Sequence, residues 1–337
     1  MDLITLSDLL VDMFPAEIGR RLADVSAFYP KPGGASANVA VAAQRLGIET
    51  AFIGKVGDDA FGHHLIDVMR GEGVETRGIR LDGEARTTMA VIALPTEHDA
   101  EFVFYRNPGA DQRLLPEELD LELLATGRAL HVGSLSLTDE PSRSAAFEAV
   151  RLGKASGALI SFDTNYRPSL WQSPAAALAQ YHALIPQVDV LKVNEVELEM
   201  LVNGRWSAAG GELTIAEAAG ELLARGPSLV VVTLGRQGSY FRSAAGGEAV
   251  PGFQVATVDA VGCGDAFVAG VLAQLLTTND WREQLSTERL REVLRYANAV
   301  GALTATKRGA IPAMPTAAEV DAFLAGSSPQ SRFDTRS

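Results

Sequence analysis

The sequence predicts an α/β fold: a three-layer, doubly wound, mainly parallel sheet with a small β lid. Two observations predict it. Short apolar, β-branched runs alternate with segments of helical pattern, and two further segments interrupt that alternation without a crossover helix of their own. In chain order, a predicted helix at Ala35 to Leu46 precedes a strand at Thr50 to Val56 and a helix at Phe61 to Glu72. A strand at Arg128 to Ser134, a helix at Pro141 to Ser156 and a strand at Ala158 to Asp163 follow. Then come a helix at Pro174 to Ile185, a strand at Asp189 to Val193, a helix at Ile215 to Arg225 and a strand at Leu229 to Leu234. Strands joined through helices pair in parallel, and the helices cover both faces of the sheet.

The interrupting segments are Leu9 to Tyr29 and Arg86 to Arg106, the second carrying strands at Thr87 to Leu94 and Glu101 to Arg106. Paired with each other they form a small antiparallel sheet, a lid over the carboxyl edge of the main sheet or an interface; the alternative is an extension of the main sheet's edge. No linker or repeat divides the chain. It therefore reads as one domain over residues 1–326, with lid strands at about 9–31 and 86–108 and a flexible polar tail at 327–337.

Composition narrows the function classes. At 337 residues and 47% hydrophobic the chain can bury a large core, and a net charge of -13 argues against a nucleic-acid surface. No basic leader precedes an apolar stretch and no run approaches membrane-spanning length, so a soluble cytoplasmic protein with no membrane partner is expected. Cys263 is the only cysteine, which excludes an internal disulfide and agrees with a reducing compartment. His131, within Ala129-Leu130-His131-Val132, reads as a packed side chain rather than a metal ligand.

The sharpest chemical signal is Val258-Asp259-Ala260-Val261-Gly262-Cys263-Gly264-Asp265-Ala266-Phe267, where a glycine-rich turn enters an apolar helix. Backbone N–H groups around Gly262, Cys263 and Gly264 can converge on an anion, helped by the helix N-terminus. A carboxylate beside a phosphate site is unfavourable unless it has work to do. Asp265 is thus a candidate base for a hydroxyl that attacks a γ-phosphoryl group, the alternative being a simple helix cap.

This stretch resembles the second signature of the ribokinase-like, PfkB-type sugar kinases, and Pro32-Gly33-Gly34-Ala35-Ser36-Ala37-Asn38-Val39-Ala40 with Leu46-Gly47 resembles the first. Gly54-Lys55-Val56-Gly57-Asp58-Asp59-Ala60-Phe61-Gly62 continues the match, which extends over nearly the whole chain. The resemblance implies an ATP-dependent sugar kinase that uses Mg2+ and has Asp265 as its base. It places Gly33, Gly34, Asn38 and Asp12 at the sugar, and gives Arg167, in Asp163-Thr164-Asn165-Tyr166-Arg167-Pro168, to the transferring phosphoryl group. The alternative for Arg167 is a surface ion pair.

Asn194-Glu195-Val196-Glu197 resembles the family's Asn-x-x-Glu motif, so Asn194 is expected at ATP and Glu197 at magnesium through water. Thr233, Gly235 and Gly238 match the turn against the ATP ribose and phosphates, and Asn298 the adenine contact. Carbonyls of Asp259, Val261, Thr304, Lys307 and Gly309 match a K+ site.

Among the family's members, the segments Glu101 to Asp111, His131 to Leu137 and Arg308 to Pro315 look most like fructokinases. Arg106 is expected to reach over the sugar from the lid, where it would also suit the carboxylate of 2-keto-3-deoxygluconate, the alternative substrate. Asp12 favours the neutral sugar, fructose. A non-catalytic scaffold and a homodimer through the lid are the remaining expectations to test. Three departures stand out: Ser7-Asp8 replaces Gly-Glu, Val261 replaces threonine, and Cys263 replaces alanine.

Overall fold

The computed structural model describes residues 1–93 and 101–326. Leu94, placed at the end of a predicted strand, and the expected tail 327–337 lie outside the described residues. Nine strands form the main sheet, in spatial order Gly246–Pro251, Gly238–Ser243, Leu229–Thr233, Val190–Asn194, Leu159–Asp163, Ala129–Gly133, Leu3–Leu6, Thr50–Gly57 and Glu75–Asp82. All neighbours are parallel except the hairpin made by the first two strands of that order, which also runs antiparallel to Leu229–Thr233.

Burial on both faces follows from the β period of two. Leu3, Ala129, Leu159, Val190 and Leu229 point into one core, with Val39, Phe267, Leu272 and Leu294. Their immediate successors Ile4, Leu130, Ile160, Leu191 and Val230 point into the other, with Ala146, Val150, Tyr181 and Leu222. This is why the strands read as unbroken apolar runs rather than alternating ones.

The chain starts in the middle of the sheet, extends first toward Glu75–Asp82, then crosses back to Ala129–Gly133 on the other side of Leu3–Leu6. A crevice opens at such a switch point, outside the carboxyl ends of the strands. Those ends deliver Asp8, Ser134, Asp163 and Asn194.

Four strands form the lid, ordered Phe28–Gly33, Leu10–Pro15, Met89–Ala93 and Glu101–Tyr105. The expected all-antiparallel lid is corrected at its centre, where Val11, Asp12 and Met13 pair in parallel with Met89, Ala90 and Val91. Both strands continue from parallel strands of the main sheet that leave by the same edge, so they run in the same direction. Register puts Asp12, Ala90 and Phe104 side by side on the inner face, with Met13, Val91 and Val103 on the outer one.

Candidate active site

A cleft of about 520 Å³ lies between the lid and the carboxyl edge of the main sheet. Asp8, Asp12, Gly34, Asn38, Phe102, Phe104, Arg167, Lys192, Gly262, Gly264 and Asp265 all contribute to its walls. Residues far apart in sequence thus meet because each follows a strand end or rides on a lid strand.

The helix Cys263–Leu275 begins at Gly262, whose φ of 79° is in the left-handed region, and a Cβ there would lie 2.9 Å from that of Ala310. Only glycine makes this turn without strain or collision. The first N–H groups of the helix have no intrahelical acceptor and carry the positive end of its dipole. Asp265 stands in that first turn, half-buried, and its Oδ2 accepts from the Asn38 amide at 2.8 Å. Asn38 Oδ1 is buried and unpartnered, an acceptor held ready at the junction of base and sugar site.

Three carboxyls share this space. Burial pushes Asp265 up to about 7, with nearby Asp163 adding to the rise, against the Asn38 bond and the charges of Lys192 and Arg167. Burial, then the charges of Asp8 and Asp265, pushes Asp12 up to about 8. Asp8 is also raised, by burial and by Asp111. Its Oδ2 accepts from Ala35 N–H at 3.0 Å, at the start of the helix Ala35–Arg45, while Oδ1 has no partner. Asp8, part of the Ser7-Asp8 departure, is therefore a wall of the cleft.

A carboxyl that binds its proton more tightly when folded destabilises the protein as it ionises. For Asp12 this cost begins above the unfolded value near 3.8 and is complete above about 8. We expect Asp12→Asn to melt above wild type at pH 9, by on the order of a few kcal/mol, with the gap closing toward pH 4. Thermal melts at the two pH values check this.

The glycines before Asn38 clear room for these acids. A Cβ on Gly33 would lie 2.0 Å from Asp12 Oδ2, and one on Gly34, where φ is 107°, 2.4 Å from the Asp8 carbonyl oxygen. Gly33 is therefore a spacer behind Asp12 rather than part of the cleft wall.

Arg167 reaches the cleft from the loop after Leu159–Asp163. Among the described residues it has no carboxylate within ion-pair distance; its guanidinium lies 5.9 Å from the Phe102 ring centroid in the lid and 3.4 Å from the Tyr166 carbonyl oxygen. The loop is fixed by Glu197, which accepts from the Thr164 hydroxyl at 2.7 Å and Tyr166 N–H at 2.8 Å. Glu197 also accepts from Asn194 N–H at 2.8 Å, and the Asn194 side chain accepts from Glu197 N–H at 2.9 Å. This capping box uses both side chains, and Glu197 ties it to the loop that carries Arg167.

The expected reach of Arg106 over the sugar is corrected by its position. It is buried behind the lid, bonded to Asp111 at 2.7 Å, to the Thr138 hydroxyl at 2.7 Å and to the Leu135 carbonyl at 3.0 Å, and does not reach over the cleft. Asn298 donates to the carbonyls of Val250 and Pro251 at 3.1 and 3.3 Å, tying its helix to the edge hairpin.

Thr233 and Gly235 end the strand Leu229–Thr233, with open space at Gly235; a Cβ on Gly238 would lie 2.2 Å from the Val250 carbonyl, a packing constraint. Beside them Arg236, and across the cleft Arg308, line the wall; neither was singled out from sequence.

Asp259 accepts from Val261 N–H at 3.0 Å and Gly309 N–H at 2.9 Å, joining the two segments expected to supply K+ carbonyls. The Thr304 carbonyl already accepts from Lys307 N–H at 3.2 Å. Burial pushes the Cys263 thiol up to about 12, which disfavours a thiolate, and the Cys263 N–H donates to the Ala260 carbonyl at 3.3 Å. Lys192, missed from sequence, is bonded to both oxygens of Asp163 and lines the cleft. Its signal was a lysine inside an otherwise apolar strand.

An anion-binding helix N-terminus with a carboxylate in its first turn, under a lid carrying a further carboxylate, defines a phosphotransferase acting on a hydroxyl. The family model for pfkB family carbohydrate kinases matches residues 3–317, and the chain belongs to that family. The chain is 43% identical over 321 residues to probable fructokinase-2 of Arabidopsis thaliana, covering 95% of each chain. Among solved structures it resembles the Xylella fastidiosa fructokinase with bound ATP, at a TM-score of 0.84, 33% identity, and coverage of 96% of this chain and 98% of that one. It also resembles a double mutant of Vibrio cholerae O395 fructokinase in its fructose-, ADP- and potassium-bound form, at 0.83, 32% and 96% and 98%. No helix among the described residues is long and apolar enough to cross a membrane.

Proposed function

We propose that this carbohydrate kinase transfers the γ-phosphoryl group of ATP to the 6-hydroxyl of fructose. The observation that carries this reading is Asp265, held by Asn38 at the N-terminus of the Cys263–Leu275 helix, where the sugar side of the cleft meets its anion side. Names of relatives support it, since both the curated plant relative and the two solved structures are fructokinases.

Fructose enters beneath the inner lid face, with Asp12 and Asn38 Oδ1 accepting from its hydroxyls. Asp265 takes the proton of the attacking hydroxyl. The N–H groups of residues 262–265 and the Arg167 guanidinium offset charge that develops on the moving phosphoryl group. Phe102 and Phe104 on the lid exclude water. Magnesium carried with ATP would supply further charge neutralisation. Among the described residues no cluster of three or more His, Cys, Asp or Glu could hold a metal. A potassium ion on carbonyls beside Asp259 would strengthen the anion site; the potassium-bound relative supports this.

A neutral sugar suits a site walled by Asp8, Asp12 and Asp265, and Arg106, bonded to Asp111, is not among the residues that line it. Self-association through the lid is supported by its outer face, where Met89 and Tyr105 align beside Met13, Val91 and Val103. The reading is tested by ADP release with fructose, 2-keto-3-deoxygluconate, ribose, glucose and adenosine. Fructose should give the highest kcat/KM by at least about tenfold. Preference for the sugar acid overturns the fructose assignment, and silence on all five favours the scaffold.

A further inference from the structure

The strand Val190–Asn194 carries a lysine where burial and a nearby helix N-terminus both disfavour a cation. Lys192 Nζ lies 3.0 and 3.1 Å from the two oxygens of Asp163, and 3.6 Å from where a Cβ on Gly264 would sit. It is therefore wedged beneath the first turn that cradles the anion. A buried ion pair of this kind gains little stability over apolar side chains of similar size. Its position makes sense once a polyanion shares the space.

An ammonium has three N–H donors, and the Asp163 oxygens take two. The same ammonium is part of the cleft wall, beside Gly264 and Asp265 and across from Arg167. We propose that Lys192 is a further catalytic residue, donating its remaining N–H to the phosphoryl group as it passes from ATP to the sugar. Asp163 orients it, as a buried acceptor that leaves one donor direction open. Arg167 and Lys192 then bracket the transferring group with two cations, one carried by a loop and one by the sheet itself.

The inference rests on the sugar-kinase reading above, so wild-type turnover is measured first, on fructose or on whichever sugar the panel prefers. Two variants follow: Lys192→Gln, which keeps a donor for Asp163, and the double variant Lys192→Met with Asp163→Asn, which leaves no unpaired buried charge. Thermal melts confirm folding. Both should lose about 30- to 300-fold in kcat, with KM for sugar within about threefold of wild type.

A pH profile separates chemistry from packing. The charged groups facing Asp265 are Asp12, Asp163, Lys192 and Arg167, and those facing Lys192 are Asp163, Glu197 and Asp265, with neutral, buried His131 alongside. In Lys192→Gln, removing the cation while keeping the acids should move the acid limb of kcat/KM upward by about half a pH unit or more. Folded variants with kcat within about threefold of wild type, or a Lys192→Gln acid limb that does not move, would make Lys192 a structural residue and overturn the proposal. A wild type silent on every sugar removes the reading beneath it instead.

Discussion

Asp265→Asn lowers kcat on fructose by about a thousandfold or more and changes the affinity for ATP by less than about threefold. The amide is isosteric and can keep the 2.8 Å contact with Asn38 through its oxygen, so the helix start and the anion site survive. What disappears is the carboxylate proposed to take the proton of the attacking hydroxyl. The pH dependence carries the same information. With Asp265 raised to about 7 in the free protein, kcat/KM should rise through that region as the carboxylate forms, because only the ionised form accepts a proton. Residual activity in the variant should lack that limb. Initial rates from pH 5.5 to 9 for both proteins check the two expectations together.

Arg167→Met lowers kcat by about a hundredfold or more, and Arg167→Lys restores only a small part of the loss. The reasoning starts from what Arg167 lacks. Arg106 is paired with Asp111, and Arg113 with Asp82 and Glu84. Arg167 instead faces the cleft and the Phe102 ring with no carboxylate in reach. A cation left unpaired beside a phosphate-binding helix end is preorganised for negative charge that develops in the transition state. Lysine retains the charge but loses the planar fork and the stacking on Phe102. Because the loop is held through Glu197, Glu197→Gln should reproduce part of this loss without touching the cleft. Steady-state kinetics on these three variants measure the effects.

Much of this was legible in the chain before any fold was drawn. Buried parallel strands such as Leu229–Thr233 announce themselves as short apolar runs, and helices such as Ser142–Ala155 as periodic ones, because each pattern is dictated by what covers it. The turn at Gly262 and its aspartate were legible because a left-handed glycine before an apolar helix has few other uses. The edge hairpin Gly238–Ser243 and Gly246–Pro251 was not, since the first strand mixes polar and aromatic residues and the second is glycine-rich and partly exposed, so neither has a clean period. Nor was the parallel centre of the lid, which depends on where both strands leave the main sheet.

Side-chain commitments were the least legible. Arg106, Glu197 and Asn298 carry groups suited to ligands, yet each also bonds a protein group distant in sequence, Arg106 to Thr138, Glu197 to Thr164 and Asn298 to Val250. Lys192 shows the converse: its charge lies within a strand that reads as core, and only the sheet's twofold alternation and the helix above it bring the ammonium to the cleft.

The central claim is that one cleft joins fructose to ATP through Asp265. A rapid-quench single turnover with wild type and Asp265→Asn, at saturating fructose and ATP, tests it most directly. The account predicts fructose 6-phosphate in stoichiometric amount within the wild-type burst, and a rate constant at least about a thousandfold smaller in the variant with ATP still bound. A variant that forms fructose 6-phosphate within about tenfold of the wild-type rate would contradict it.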